Sequence, residues 1–326
     1  MLLTLRLIAR LLAALLISGA LTGAAGAQTP FPSRPVRVII PFGPGGFADI
    51  TMRLVGEKLS ERIGQQVVIE NKPSAGGIIA GSAVTSAQPD GYTLFVLTSG
   101  IALSKALLET MPFDPDTAFA PVSTLAQFDL LVLVKSDSSM QTVNDALALA
   151  RADPARFNIG TISPGSTQNV TGELFRATTG VAMTIIPYRT TGEVLTSLLR
   201  GDTQIAIDTY AALKPAIDAS TIRAIAATGD TRSPMQPTVP TLKQSNVDFA
   251  VVGWNALAAP AATPKDVVAF LNRHVREIVE SPDIKKRMLD LGGEAKASTP
   301  EELGARFHSD IAMWADVVKK AGLEPH

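Results

Sequence analysis

Cysteine is absent from the 326 residues. That excludes disulfides, thiolate metal sites and a cysteine nucleophile, so the fold must be held by its core alone. An excess of basic charge is missing too. The formal net charge is −1, which argues against a nucleic-acid binder with its customary basic patch. Histidine is scarce: His274, His308 and His326 all lie in the C-terminal quarter, remote in sequence from every glycine-rich segment. Solvated or capping roles on amphipathic helices are expected for His274 and His308. No G-x-S-x-G elbow occurs, and no H-E-x-x-H or comparable ligand spacing. No Gly-Lys-Ser/Thr follows a glycine loop, and no G-x-G-x-x-G is completed. These absences leave no catalytic residue, metal or cofactor to assign. Repeats of short period and low-complexity tracts are also lacking.

The first residues read as a targeting segment. Arg6 and Arg10 form a positive start, residues 11–21 are apolar, and Ala25-Gly26-Ala27 supplies small residues for a signal peptidase. Cleavage is expected after Ala27, giving an exported, periplasmic chain of 299 residues with a net charge of −3. The apolar run is shorter than the roughly 20 residues that span a bilayer. No second long apolar run follows, so a soluble mature protein is expected.

The mature chain alternates strands and helices. Val36–Ile40 (VRVII) is β-branched and bounded by prolines, which predicts a buried strand. Residues 41–46 (PFGPGG) are a tight loop, and 47–63 carry apolar residues at helical spacing with Asp49 in the first turn and Gly64 at the end. Residues 67–70 predict a strand, 71–77 (NKPSAGG) a second glycine loop, 78–87 a helix and 92–98 a third strand. The grammar repeats downstream. Strands are expected at 130–134, 157–160, 184–186, 204–207 and 222–227, and helices at 142–152, from 168 to 178 and at 193–199. A third small-residue loop falls at 161–167, a proline-rich surface loop at 233–241, and amphipathic helices from 264 onward.

Strand–loop–helix repetition implies an α/β fold of mostly parallel sheets flanked by helices. Two similar halves with a helical tail fit a two-lobed clamp. The chain is expected to cross between lobes near 127–128 and 249–253. Lobe 1 would then comprise residues 28–128 and 249–326, and lobe 2 residues 129–248.

Glycine loops at the carboxyl ends of parallel strands are where open α/β sheets bind ligands. Glycine lets a backbone approach a ligand closely, and the free N–H groups of a helix N-terminus favour an anion. The loop at 41–46 and the loop Ser74-Ala75-Gly76-Gly77 share this physics. The loop at 163–167 adds hydroxyls from the second half. A plain tight turn is the alternative for each loop alone, and a shared anion site is favoured for the three together. Asp49 and Asp208 are the carboxylates placed at strand or loop ends, Asp49 having an alternative role as a charge in the first turn of its helix.

Several segments carry a family resemblance. They are FPSRPVRVIIPFGPGGFADITMRLVGEKLSERIGQQVVIENKPSAGG (31–77), AQPDGYTL (87–94), PGSTQNVTGELF (164–175), IPYR (186–189), IRAIAATGDTRSP (222–234) and WNALAAPAATP (254–264). In that order they resemble the Bug/TctC solute-binding receptors of tripartite tricarboxylate transporters, over essentially the whole mature chain. The resemblance implies a type II periplasmic-binding fold whose two lobes close over a small carboxylate. Dicarboxylates, tricarboxylates, amino acids and aromatic carboxylates all remain open. It implies a monomer without cofactor that delivers its ligand to integral-membrane transporter subunits. An enzyme on the same fold, and a ligand-sensing receptor for a membrane partner, are the alternatives.

Carried over by position, the carboxylate is held by main-chain amides of Phe42, Gly43, Gly45, Gly46 and Phe47 and of Ser74, Ala75, Gly76 and Gly77. Asp49 lies just behind, and Thr98 and Ser99 end the third strand beside them. From the second lobe, Thr161, Ser163, Ser166, Thr167 and Asp208 match cleft-facing positions. Asn169 stands where many members have histidine, and Arg189-Thr190 replaces a basic-plus-glycine pair. Pro164 stiffens a loop that is often glycine-rich. These departures bear on which carboxylate is bound.

Overall fold

The computed structural model describes residues 31–108, 110–233 and 235–320. The expected signal peptide and His326 lie outside them. Residues 31–33 belong to a separate N-terminal unit, and every element below lies in the unit Arg34–His326.

The first half contains β1 (Val36–Ile40), α1 (Phe47–Ile63), β2 (Val67–Asn71), a 3-10 turn (Ala75–Gly77), α2 (Ile78–Thr85), β3 (Thr93–Thr98) and α3 (Ser99–Leu107). The long β4 (Phe119–Lys135) leads into α4 (Val143–Ala152), β5 (Asn158–Ile162), α5 (Thr167–Thr179), β6 (Thr184–Tyr188), α6 (Thr191–Arg200), β7 (Ile205–Thr209), α7 (Tyr210–Asp218) and β8 (Ile222–Ala227). The chain returns through β9 (Val252–Pro260), α8 (Lys265–Val279), α9 (Pro282–Asp290), β10 (Gly293–Ala295) and α10 (Pro300–Lys320).

β1 and α1 form where hydrophobic spacing placed them. All but one residue of β1 is buried, and α1 buries Phe47, Met52, Val55 and Leu59 before Gly64 stops it in the left-handed region at φ 67°. In α4, Thr142 caps the helix by accepting from the Asp145 N–H, while the Asp145 carboxylate accepts from the Thr142 N–H.

The strands form one path, β2-β1-β3-β9-β4-β7-β5-β6, with β8 and β10 also on β4. Each lobe has a parallel trio: β2-β1-β3 in the first, β6-β5-β7 in the second. Antiparallel strands extend both trios. β9 pairs with β3, and β4 pairs with β9 as far as Asp129, then with β7 and β8 from Leu130 on. One strand thus serves both sheets. One apolar core centres on Phe95, Trp254 and α10, the other on Leu133, Val194 and Ile222.

Where β4 passes between the sheets, Thr228 ties the crossings together. Its N–H donates to Leu130 O and its hydroxyl accepts from Leu130 N–H, each at 2.9 Å, and the hydroxyl donates to Val251 O at 2.7 Å.

Sequence patterning underestimates five elements. The first eleven residues of β4, all of β9 and β10, and helices α3 and α7 are not anticipated by it. The stretch 233–241 is not all surface loop: Val239 and Thr241 are buried, and Ala227 N–H bonds Pro240 O at 2.9 Å beside β8. The small-residue loop at 161–167 is shorter than expected, because β5 takes Thr161 and Ile162 and α5 begins at Thr167.

Candidate functional site

The first glycine loop joins β1 to α1 and is held from behind. Asp49, only 4 % exposed, accepts the Gly45 N–H at 3.0 Å, and its oxygens also take the Arg53 Nε at 3.0 Å. Asn71, at the end of β2, donates to Asp49 Oδ1 and to Phe42 O, each at 3.0 Å. Burial pushes the Asp49 pKa up, but the bonds from Arg53, Gly45 and Asn71 outweigh it and leave the carboxyl below its usual range. Asp49 is therefore an ionised brace that sets the loop.

Gly45 needs its glycine for a φ of 82°. At Gly46 an added Cβ would meet nothing nearer than Gly43 O at 3.9 Å, so the first turn of α1 borders open space. The leading N–H groups of α1 have no intrahelical acceptor, and the helix dipole adds partial positive charge there.

The second loop packs directly on the first. A Cβ on Gly77 would lie 3.1 Å from Pro41 Cβ and 2.5 Å from Ile101 Cδ1, with φ already at 67°. The loops thus meet at the carboxyl ends of adjacent strands β1 and β2. Ser74 Oγ accepts the Ile79 N–H at 3.0 Å. The Gly76 N–H donates to Pro164 O of the second lobe at 2.9 Å. One of the amides expected to face a ligand is therefore bonded across the lobes.

Glycines line that interlobe contact on both sides. A Cβ on Gly100 would sit 2.5 Å from Gly165 O, and one on Gly165 would sit 2.4 Å from Ser104 Oγ. Ser99 and Thr167 share a hydroxyl–hydroxyl hydrogen bond of 2.8 Å. Beside them the Thr98 hydroxyl is buried without a hydrogen-bond partner. Phe42 packs against the second lobe's core, and Gly43 lies against Thr190 and the Arg189 carbonyl. The Phe47 ring lies tilted against that of Phe128, centroids 4.5 Å apart, at the crossing of β4.

In the second lobe the hydroxyls are largely engaged within their own loop. Ser166 caps α5 by accepting from Asn169 N–H at 3.1 Å, and Asn169 Nδ2 donates to Thr161 Oγ1 at 3.2 Å. Ser163 is buried between them in sequence. Asp208 is 0 % exposed and accepts from Gln168 Nε2 (3.0 Å), Thr191 Oγ1 (2.7 Å) and Thr209 N–H (2.8 Å). Burial pushes its pKa up, against those three bonds. It ties the N-terminal turns of α5 and α6 together, as Asp49 ties the first-lobe loops.

The histidines stand apart from these loops. His274 is on α8, and His308 on α10 pairs with Asp116. Sequence patterning does not single out Asn71, Arg53, Gly100, Ser104, Gln168 or Thr191. Arg53 pairs with Asp49 four residues away on its own helix, while the others act through partners distant in the chain or across the lobes, which spacing does not reveal.

Two α/β lobes sharing crossing strands, with glycine loops at strand ends facing the second lobe, define a periplasmic solute-binding protein of the two-lobed type. The chain belongs to the family described as tripartite tricarboxylate transporter family receptor, whose pattern matches residues 51–323. Three solved structures illustrate the likeness. An R. palustris protein, Rpa4515 with adipate, is 33 % identical, covering 91 % of this chain and 100 % of its own, with a TM-score of 0.87. The periplasmic binding protein BugD is 28 % identical over 91 % of this chain and 100 % of its own, at 0.86. MatC from Rhodopseudomonas palustris, with bound malate, is 29 % identical over 88 % of this chain and 100 % of its own, at 0.84.

Proposed function

We propose that this receptor captures a small organic carboxylate between its lobes and delivers it to the integral-membrane subunits of a tripartite transporter, without chemical change to the ligand. In this reading it acts in the periplasm as a monomer after cleavage behind Ala27. Lobe 1 comprises residues 28–128 and 249–326, and lobe 2 residues 129–248. The observation that carries the reading is the direct packing of the two glycine loops, Gly77 against Pro41, at the N-terminus of α1. Neither loop contains an arginine or lysine between 41 and 47 or between 73 and 77. Main-chain N–H groups and the helix dipole therefore hold the carboxylate, each charge-assisted bond contributing about 1.5–3 kcal/mol.

Beyond these main-chain donors, Thr98 supplies the hydroxyl that still lacks a partner, and Ser99 with Thr167 closes the cleft above it. The second lobe reads the far end of the ligand through the loop 161–169. The bound adipate and malate of the two related structures support aliphatic dicarboxylates as the first candidates.

Calorimetry with adipate and malate tests this. Gly46→Val fits the space at its own position yet fills the open side of the loop. It should weaken binding of the preferred acid at least about a hundredfold, the loss of two such bonds, with an unchanged melting temperature. Gly77→Val is unsuitable, because Ile101 and the left-handed backbone would distort the loop itself. Undiminished affinity in Gly46→Val, or no binding of either acid by the wild type, would count against the reading.

A further inference from the structure

A cavity of about 310 Å3 lies between α10, Leu174 of α5 and the crossing segment 249–252, and reaches Ser99 from outside the glycine loops. Its walls are apolar: Leu174, Phe249, Val251, Met313 and Val317. Met313 is 47 % exposed and forms its rim. A cavity of this size suits a small organic molecule.

The polar groups in it are unevenly satisfied. Asp310 Oδ2 accepts the Trp254 Nε1 at 2.6 Å, and Asp230 is bound to Lys243 at 2.6 Å. One oxygen of each carboxylate is engaged in this way. Two donors are not engaged. Trp314 is only 6 % exposed, and its Nε1 is buried with no hydrogen-bond partner. The Arg306 guanidinium sits 5.3 Å from the centre of the Trp254 ring and makes no hydrogen bond or ion pair among the described residues. Burial pushes its pKa down, with Asp310 opposing. Arg306 is half-buried, whereas the Trp314 Nε1 is a fully buried donor without an acceptor, which is costly and uncommon in native proteins. Arg306, Asp310 and Trp314 recur every four residues, so α10 turns one face to the cavity.

We propose that this cavity is a second ligand site, distinct from the glycine-loop cleft, which takes an aromatic monocarboxylate. The carboxylate pairs with Arg306, the ring lies against Leu174, Phe249 and Met313, and a polar substituent on the ring accepts from the Trp314 N–H. Charge-assisted bonds to guanidinium are about twice as strong as neutral ones, so Arg306 contributes most to selection.

The test titrates the exported protein with 3-(4-hydroxyphenyl)propionate by calorimetry, in the wild type and in Gly46→Val. Saturable binding is expected to persist in Gly46→Val. Added to that background, Arg306→Gln should weaken it about ten- to a hundredfold. Trp314→Phe keeps the packed ring and removes only the N–H, and should weaken it about threefold or more. The corresponding amide of the probe should fail to bind. No saturable binding in Gly46→Val, or binding indifferent to both Arg306→Gln and Trp314→Phe, overturns the proposal. Adipate binding that survives Gly46→Val would instead overturn the cleft reading alone, since the cavity rests on Arg306 and Trp314.

Discussion

Asp49 and Asp208 show how two buried carboxylates of one chain differ through their partners. Both organise loop ends from behind. Asp49 has the Arg53 guanidinium at 2.9 Å and stays ionised, whereas Asp208 has only neutral donors and its pKa rises with burial. Asp208→Asn preserves shape and acceptor, and the Thr191 hydroxyl can turn to accept from the new amide. It should change stability by about 1 kcal/mol or less. Asp208→Ala strands the donors of Gln168, Thr191 and Thr209 and should cost about 2–4 kcal/mol. Urea denaturation of the two variants checks the contrast; equal losses would show that the bonds to Asp208 are not what matters there. That these aspartates mark loop ends was legible in the sequence. Their partners were not, because Asn71 and Thr191 reach them only after folding.

At the scale of elements, patterning worked where one face or one run is apolar. β1 and α1 carry clear signals and appear at the predicted bounds. β4 mixes Pro121, Ser123, Thr124 and Gln127 into its first eleven residues, and only its uniformly apolar end reads as strand. The same stretch holds a titrating group at the crossing. Asp129 lies where β4 leaves β9, and burial, aided by the nearby Asp230 charge, pushes its pKa up to about 6. A folded pKa above the unfolded one means that the native state binds the extra proton. Stability contributed by this group is then full below about pH 4 and is lost as pH rises through 6. Above pH 7 the ionised form costs about 1–3 kcal/mol. Asp129→Asn should therefore melt several degrees above the wild type at pH 7.5, and the gap should close as pH falls from 7 to 4. Melting curves across that range decide it; a gap independent of pH would remove Asp129 as the titrating group.

For the whole molecule, repeated strand–loop–helix grammar made two α/β lobes legible, and consecutive strands made the two glycine loops neighbours. What no local pattern encodes is how the lobes touch. Their contact depends on the absence of side chains at facing positions: Gly76 and Gly100 on one side, Gly165 on the other. Closure of this kind is a population shift, and apparent affinity falls with the fraction able to close. Gly100→Ala isolates that effect. Gly100 lies in the first turn of α3, where alanine is a better helix former than glycine, so the lobe itself should be intact. Its Cβ, however, would stand 2.5 Å from the Gly165 carbonyl, and backbone must move apart to admit it. The variant should keep its melting temperature, bind the preferred acid about tenfold or more weakly by raising the cost of closure, and have a larger radius of gyration than the wild type when both are saturated. Small-angle scattering at saturating ligand measures this directly. Identical radii with unchanged affinity would mean that the glycine-lined contact does not govern closure.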